Sequence, residues 1–351
     1  MDFPVSSTYV SELMPTKGRS RMLTATIAFQ AVGQLVAALA AWLIIRQVDS
    51  ETAWRFLVGS TAIPAIITLV ARLSVPESPH WLMERGRNRQ AAAIIGELIP
   101  AQRSLAQSLA TQAGTLQDSQ VSHQPAANYS ELFSTPYLRT TILTAGAWFF
   151  MDIATYGVGL FTPVILTSLT GIQASAHGFN LMAQEFQSIQ GTGLIDTFLL
   201  VGFLLGIWLV PKYGPIRMQI AGFGGMALSM VILTFASTLP ADNSHRVGLI
   251  FLSFILFNLT MNAGPNSTTF LLPAQLFPTR LRGSGSGLAA ASGKVGATLG
   301  IFFLPVIKDA YGTTLVLALM VVVSIMGYFI TLIFSRKLAR QARYGTQTST
   351  P

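Results

Sequence analysis

Eight predominantly apolar runs, each about the length that crosses a bilayer, constrain this chain more than any other feature. They are Leu23–Ile45, Phe56–Leu73, Leu138–Leu166, Ile195–Val210, Ile220–Ser237, Leu249–Leu272, Leu288–Ile307 and Thr314–Phe334. A backbone in hydrocarbon must satisfy its own hydrogen bonds, and a single apolar run does so only as an α-helix. Composition agrees: 51% of the residues are hydrophobic and only 10% charged, where soluble domains carry about 25%. The predicted fold class is therefore all-α, a polytopic membrane helix bundle whose first partner is the lipid bilayer. There is no cysteine, so disulfides and thiol chemistry drop out. The N-terminus lacks the basic and apolar regions of a cleavable signal peptide.

The net charge of +8 suggests nucleic acid until its distribution is followed. Lys17, Arg19 and Arg21 form one cluster, Arg85, Arg87 and Arg89 a second, Lys212 and Arg217 a third, Arg280 and Arg282 a fourth. The tail from Arg336 to Arg343 is basic as well. Threading the eight runs back and forth puts all of these on one side, with loops poorer in Lys and Arg on the other. That is the positive-inside pattern, and it predicts a multi-pass protein of a cell membrane, plasma or inner, with the central linker and C-terminus cytoplasmic. No nucleic-acid partner is expected.

One polar stretch, Met83 to Ser134, cannot span a membrane; within it Gln90–Ile99 is expected to form a short amphipathic helix. Two complete runs precede it and six follow. An internal repeat bears on this asymmetry. Ser11-Glu12-Leu13-Met14-Pro15-Thr16-Lys17-Gly18-Arg19 parallels Ala274-Gln275-Leu276-Phe277-Pro278-Thr279-Arg280-Leu281-Arg282. Repeated halves of this kind are a transporter signature. The second copy closes the fourth run after the linker, whereas residues 1–14 would reach only about 21 Å as helix. The repeat thus predicts about three and a half further helices on the N-terminal side.

Asp152 stands out within the runs. It lies about 21 Å into its span, where an acid costs about 2.5–3.5 kcal/mol to insert, so it is a functional candidate by default. A packing acid neutralised by a neighbour is the plainer alternative. Trp148 and Tyr156 sit four residues to either side, on the same helical face. Lys294 is the complementary charge, in a small-residue stretch suited to close helix contact. Buried there, it needs an anion, either Asp152 or a substrate; otherwise it snorkels to the interface. Gly293-Lys294 does not belong to a nucleotide-binding loop, because Leu288 stands where the first Gly is required and Val295 replaces the Ser/Thr. Asn266 follows Gly264-Pro265, which should locally unwind its helix, and its amide can serve an oxyanion or tie helices together. Gln30, on the first complete run, has the same two readings. The four His lack metal-ligand spacing, and no embedded nucleophile–base set suggests an enzyme, so neither a metal nor a cofactor is expected.

Several stretches resemble the major facilitator superfamily. Pro76-Glu77-Ser78-Pro79-His80-Trp81-Leu82 is similar to the motif that closes the sixth helix of sugar-porter-like members, with His80 in place of Arg. Lys212-Tyr213-Gly214-Pro215-Ile216-Arg217 resembles a degraded form of the superfamily's Asp-x-x-Gly-Arg-Arg turn. Trp148 to Tyr156, and Gly264 through Arg280 to Lys294, resemble the phosphate:proton symporter family within it.

The resemblance implies a major facilitator fold lacking about the first three helices. Residues 1–82 would be the remnant of an N-terminal half, holding part of helix four and helices five and six. Residues 83–135 would be a cytoplasmic linker, 136–336 the six-helix C-terminal half and 337–351 a cytoplasmic tail. The implied activity is proton-coupled symport of inorganic phosphate by a monomer using alternating access. Phosphate would meet Phe3, Gln30, Trp148, Asp152, Tyr156, Asn266 and Lys294, and Asp152 and Asp2 would couple the proton. Phe3 stands where the family has a phosphate-contacting Tyr, and it cannot donate that bond. Glu12, Arg19, Glu77, Arg280 and Arg282 would form gate salt bridges; interfacial anchoring is an equal alternative. A sugar or other organic-solute facilitator, or a non-transporting remnant, are the competing expectations.

Overall fold

The computed structural model describes residues 19–48, 50–84, 86–98, 128–159, 181–240 and 242–347, with Ser6, Tyr9, Val10 and Gln107. Twelve α-helices and one 3-10 turn follow in order among these residues, with no strand. They are α1 (Arg19–Gln47), α2 (Ser50–Ser60), α3 (Ala62–Arg72), α4 (Pro79–Glu84), α5 (Asn88–Leu98), the turn Tyr129–Phe133, α6 (Thr135–Gly159), α7 (Leu181–Tyr213), α8 (Pro215–Thr238), α9 (Arg246–Ala263), α10 (Pro265–Leu276), α11 (Thr279–Tyr311) and α12 (Thr313–Gln347).

Among the described residues, all eight predicted runs fall on helices. Seven helical stretches among the described residues are long and apolar enough to cross a membrane, and Thr197–Tyr213 within α7 supplies a shorter eighth. The chain is therefore a multi-pass membrane protein, with two spans before the polar stretch and six after it. Two spans are interrupted where proline requires it. α2 gives way to α3 at Thr61, because Pro64 cannot donate to Ser60 and its ring crowds that carbonyl. Likewise α9 passes into α10 at Gly264, whose φ of −114° and ψ of −107° precede Pro265. That break is the local unwinding expected from Gly264-Pro265.

The two sides of the polar stretch pack very differently. Half of the most apolar stretch in Thr135–Gly159 and in Arg246–Leu276 is buried, against 6% of that in Thr52–Arg72. One continuous core runs from Ile27, Ala28 and Ala31 of α1 through Phe203, Phe223, Phe254, Phe257 and Met320 of the later helices. Close backbone approach builds it. α11 lays Gly293, Gly296 and Gly300 against α6; a Cβ at Gly296 would collide with the Phe149 carbonyl, and one at Gly300 would stand 3.0 Å from that of Ile153. In lipid such van der Waals contact between small residues drives association, because tails are as apolar as Leu. Gly222 and Gly264 meet in the same way, a Cβ on Gly264 standing 2.7 Å from the Gly222 Cα.

The predicted amphipathic helix appears as α5, preceded by the short α4. The end of the polar stretch is not simple linker. Asn128 caps the 3-10 turn through Ser130 N (3.2 Å), and Leu132, fully buried, packs on Phe277 and Leu281. In the sequence this segment reads as linker because its one anchoring leucine sits among polar residues.

Candidate functional site

α6 and α11 run side by side from the same end of the bundle, so residues at like distance from their starts meet. Asp152 lies about 26 Å along α6 and Lys294 about 22 Å along α11. Lys294 Nζ donates to Asp152 Oδ2 at 3.2 Å and to the Tyr156 hydroxyl at 3.0 Å. It also stands 4.7 Å over the Tyr156 ring, where the π face attracts a cation. The two charges are unequally placed: the Asp152 side chain is 4% exposed and that of Lys294 59%. Lys294 is therefore not the buried lysine that the sequence suggests. The glycine stripe brings α6 and α11 too close to hold a lysine stem between them, so its ammonium reaches Asp152 from the open side.

Gly293 lets the pair form. A Cβ there would lie 2.7 Å from Trp148 Nε1 and 2.9 Å from Asp152 Oδ2. Trp148 is itself buried, its ring meeting Phe270 edge-on with centroids 4.3 Å apart. It backs the site from within the core rather than standing open to it. Phe270 belongs to α10, one turn beyond Asn266, so the face of α10 carrying Asn266 adjoins the face of α6 carrying Asp152. Asn266 is buried, and its Nδ2 donates to Asn262 Oδ1 at 2.7 Å. One of its two donors is thus already used within the chain.

The remaining candidates do not join this group. Gln30 is half-buried on α1 and makes no hydrogen bond to Asp152 or Lys294 among the described residues. Asp2, Phe3 and Glu12 lie outside the described residues, as does the side chain of Arg19, whose backbone opens α1. Glu77 is exposed beyond α3 and makes no ion pair among the described residues. Arg282 is half-buried near the start of α11. Arg280 takes Glu131 of the 3-10 turn as its acid, both guanidinium nitrogens reaching the carboxylate, one at 3.2 Å. At that same end Gln275 Nε2 donates to Ser20 Oγ at 3.0 Å, joining α10 to α1 beside the apolar contact of Leu23, Val210 and Leu271.

Sequence reasoning misses Glu131, Gln219 and the two asparagines, Asn258 and Asn262, that precede Asn266. Gln219 of α8 accepts from Thr268 at 2.8 Å and donates to Thr331 at 2.9 Å, tying α8, α10 and α12 together. Asn258, Asn262 and Asn266 follow at one-turn spacing. That spacing within an apolar run, and a lone Gln near the start of another, are signals that the sequence does carry. Among the described residues no group of His, Cys, Asp and Glu has the makings of a metal site.

The family described as "Sugar (and other) transporter" matches residues 3–341. A probable inorganic phosphate transporter of Arabidopsis thaliana is 27% identical over 94% of this chain and 66% of its own length. An inorganic phosphate transporter of Saccharomyces cerevisiae is 28% identical over 85% and 54%. A repressible high-affinity phosphate permease of Neurospora crassa is 30% identical over 85% and 56%. The chain thus spans between about half and two thirds of these relatives. Among solved structures, the proton:xylose symporter XylE with a bound bromo-deoxyglucose superposes with a TM-score of 0.74 at 20% identity, over 95% of this chain and 67% of that one. The inward-open form of XylE from E. coli gives 0.58 at 20% identity, over 94% and 64%.

Proposed function

The chain belongs to the sugar (and other) transporter family, within the major facilitator superfamily, and on that premise we propose that it binds inorganic phosphate and moves it with a proton by alternating access. The observation that carries this reading is the mid-span group of a buried acid, an accessible cation and a phenol, Asp152, Lys294 and Tyr156. The phosphate-transporter relatives support the choice of anion.

The chemistry follows from what each atom can do. Without ligand, Lys294 neutralises Asp152, and a net-neutral pair costs least in the low-dielectric helix bundle while the empty protein changes state. An arriving phosphate competes for the ammonium and for the Tyr156 hydroxyl, forming charge-assisted bonds that replace its water. Asp152 then loses its counter-charge and faces an anion, so taking up a proton relieves the repulsion. Anion and proton are thereby loaded together. Release on the far side frees Lys294 to return to Asp152, which expels the proton and permits the return stroke.

On the same reading, residues 136–336 form the six-helix half that carries the charged pair, and the helices before residue 83 belong to the other half. The end bearing Arg280 and Glu131 faces the cytoplasm, on the positive-inside pattern. Gln30, Asn266 and Trp148 shape the cavity, and Arg280, Arg282, Glu77 and Arg19 act at its cytoplasmic mouth. The family name also covers sugars. A sugar site is served by neutral polar groups, whereas an accessible ammonium on a buried carboxylate suits an anion.

Uptake of labelled phosphate into proteoliposomes under an imposed proton gradient tests the proposal. Asp152→Asn should abolish concentrative uptake, and Lys294→Ala should weaken phosphate binding about 10- to 100-fold, the worth of a bond to a charged donor. Wild-type uptake unchanged in Asp152→Asn, or hexose competing as well as phosphate, would sink it.

A further inference from the structure

A side-chain amide donates at one end and accepts at the other, and the ends look alike until their partners are named. Asn258 and Asn262 lie on one side of the Gly264 break and Asn266 on the other. Asn262, fully buried, donates from Nδ2 to the backbone carbonyl of Asn258 at 2.8 Å. A carbonyl can only accept, so this bond decides which end of the Asn262 amide is nitrogen. Its Oδ1 must then turn toward Asn266, and it accepts from Asn266 Nδ2 at 2.7 Å. Ser267 Oγ donates to the Asn262 backbone carbonyl at 2.6 Å, tying the two sides of the break together. Asn266 Oδ1 is left without a protein partner among the described residues. Asn266 keeps a small exposure, 5%, against 1% for Thr269 and 2% for Ser286, whose hydroxyls are sealed in.

We infer that Asn262 sets Asn266 as a hydrogen-bond acceptor toward the ligand, so that the site selects an oxyanion carrying a proton, hydrogen phosphate, over one carrying none, sulfate. This rests on the phosphate reading above and adds what discriminates between two anions of the same shape. Near neutral pH inorganic phosphate keeps at least one P–O–H donor, and sulfate has none. An acceptor facing a sulfate oxygen sets two lone pairs against each other, a repulsive element against the wrong ligand. Once phosphate has drawn Lys294 away and Asp152 has taken up a proton, Asp152 is itself a donor, and Asn266 is left as the neutral acceptor for the phosphate P–O–H. Asn262 is a positioning residue here, since it acts only through Asn266.

The full chain in lipid nanodiscs is titrated with inorganic phosphate and with sulfate. The wild type should prefer phosphate at least about tenfold, the worth of one hydrogen bond to a charged group. In Asn262→Leu the Asn266 amide can rotate and offer N–H, so sulfate gains and the preference falls toward one. Asn262→Asp keeps the acceptor facing Asn266, so it should weaken both anions yet retain the preference. The Asn262→Leu/Asn266→Leu double variant should match Asn266→Leu alone, because coupled residues are not additive. An unchanged preference in Asn262→Leu, or additive losses in the double variant, overturns the inference. A readout independent of ligand is hydrogen exchange of the Asn266 side-chain amide by NMR, with one proton protected in the wild type and neither in Asn262→Leu. If the wild type binds no phosphate, the proposed function fails while this measurement still decides the orientation. Two fast-exchanging protons in the wild type would overturn the orientation too.

Discussion

The spans on either side of the polar stretch are equally apolar and unequally packed. Thr52–Arg72 has a mean hydropathy of 1.6 and Arg246–Leu276 one of 1.7, yet 6% of the first and half of the second is buried. Hydropathy therefore reports that a helix prefers lipid to water and says nothing about its neighbours. Small residues mark the difference. Gly296 and Gly300 of α11 meet α6 backbone, whereas a Cβ at Gly33 of α1 or Gly59 of α2 would meet nothing within 4 Å. α1 shares both characters. Its first turns are locked by Leu23, Ile27 and Ala31, and beyond them Val36, Leu39 and Leu43 are exposed.

This contrast can be broken by substitution, and the largest effect is expected at the aromatic core. Phe223→Ala, from a fully buried ring in contact with Gly327, should destabilise the protein by about 3–5 kcal/mol. Phe29→Ala, from a ring 73% exposed, should cost less than about 0.5 kcal/mol. Thermal unfolding in detergent measures both, and equal losses would mean that α1 is packed there after all. Next comes Gly296→Ala, which drives a methyl into the Phe149 carbonyl and should cost about 1–3 kcal/mol. Gly59→Ala on α2 should stabilise by about 0.5–1 kcal/mol, the ordinary propensity gain. Matching losses at both positions would remove the distinction between the regions.

A smaller effect is expected from Gln219→Leu. It leaves Thr268 and Thr331 without their shared partner and should cost about 1 kcal/mol, as interhelical hydrogen bonds in membranes do. The smallest belongs to Glu131→Gln at the half-exposed pair with Arg280, below about 1 kcal/mol. That loss should shrink further in high salt, which screens accessible charges. A salt-independent loss there would indicate that Glu131 acts instead by accepting from the Asn128 N–H, at 3.3 Å, at the start of the 3-10 turn.

Much of the site is legible in the amino-acid sequence. Depth within its run singles out Asp152, spacing singles out Tyr156, charge among small neighbours singles out Lys294, and a missing backbone donor marks the Gly264-Pro265 break. Exposure and partnership are not legible there. The small neighbours of Lys294 suggest burial, and only the tightness of the glycine contact reveals why its stem lies outside. Arg280 pairs with an acid 149 positions away in a segment that reads as linker. Asn258, Asn262 and Asn266 show their spacing in the sequence, but not which amide end faces which.

The sequence by itself determined that this chain is a bundle of membrane helices, which runs supply its spans, and that one of them breaks at Gly264-Pro265. Those choices rest on hydrogen bonds four residues apart and on transfer of each run from water to lipid, both local quantities. Only the tertiary structure decided that Lys294 meets Asp152 from the open side, that Glu131 holds Arg280, and that Asn262 turns Asn266. Such pairings join residues far apart in the chain, or orient one amide by another's bonds. Their energies exist only once the helices have packed.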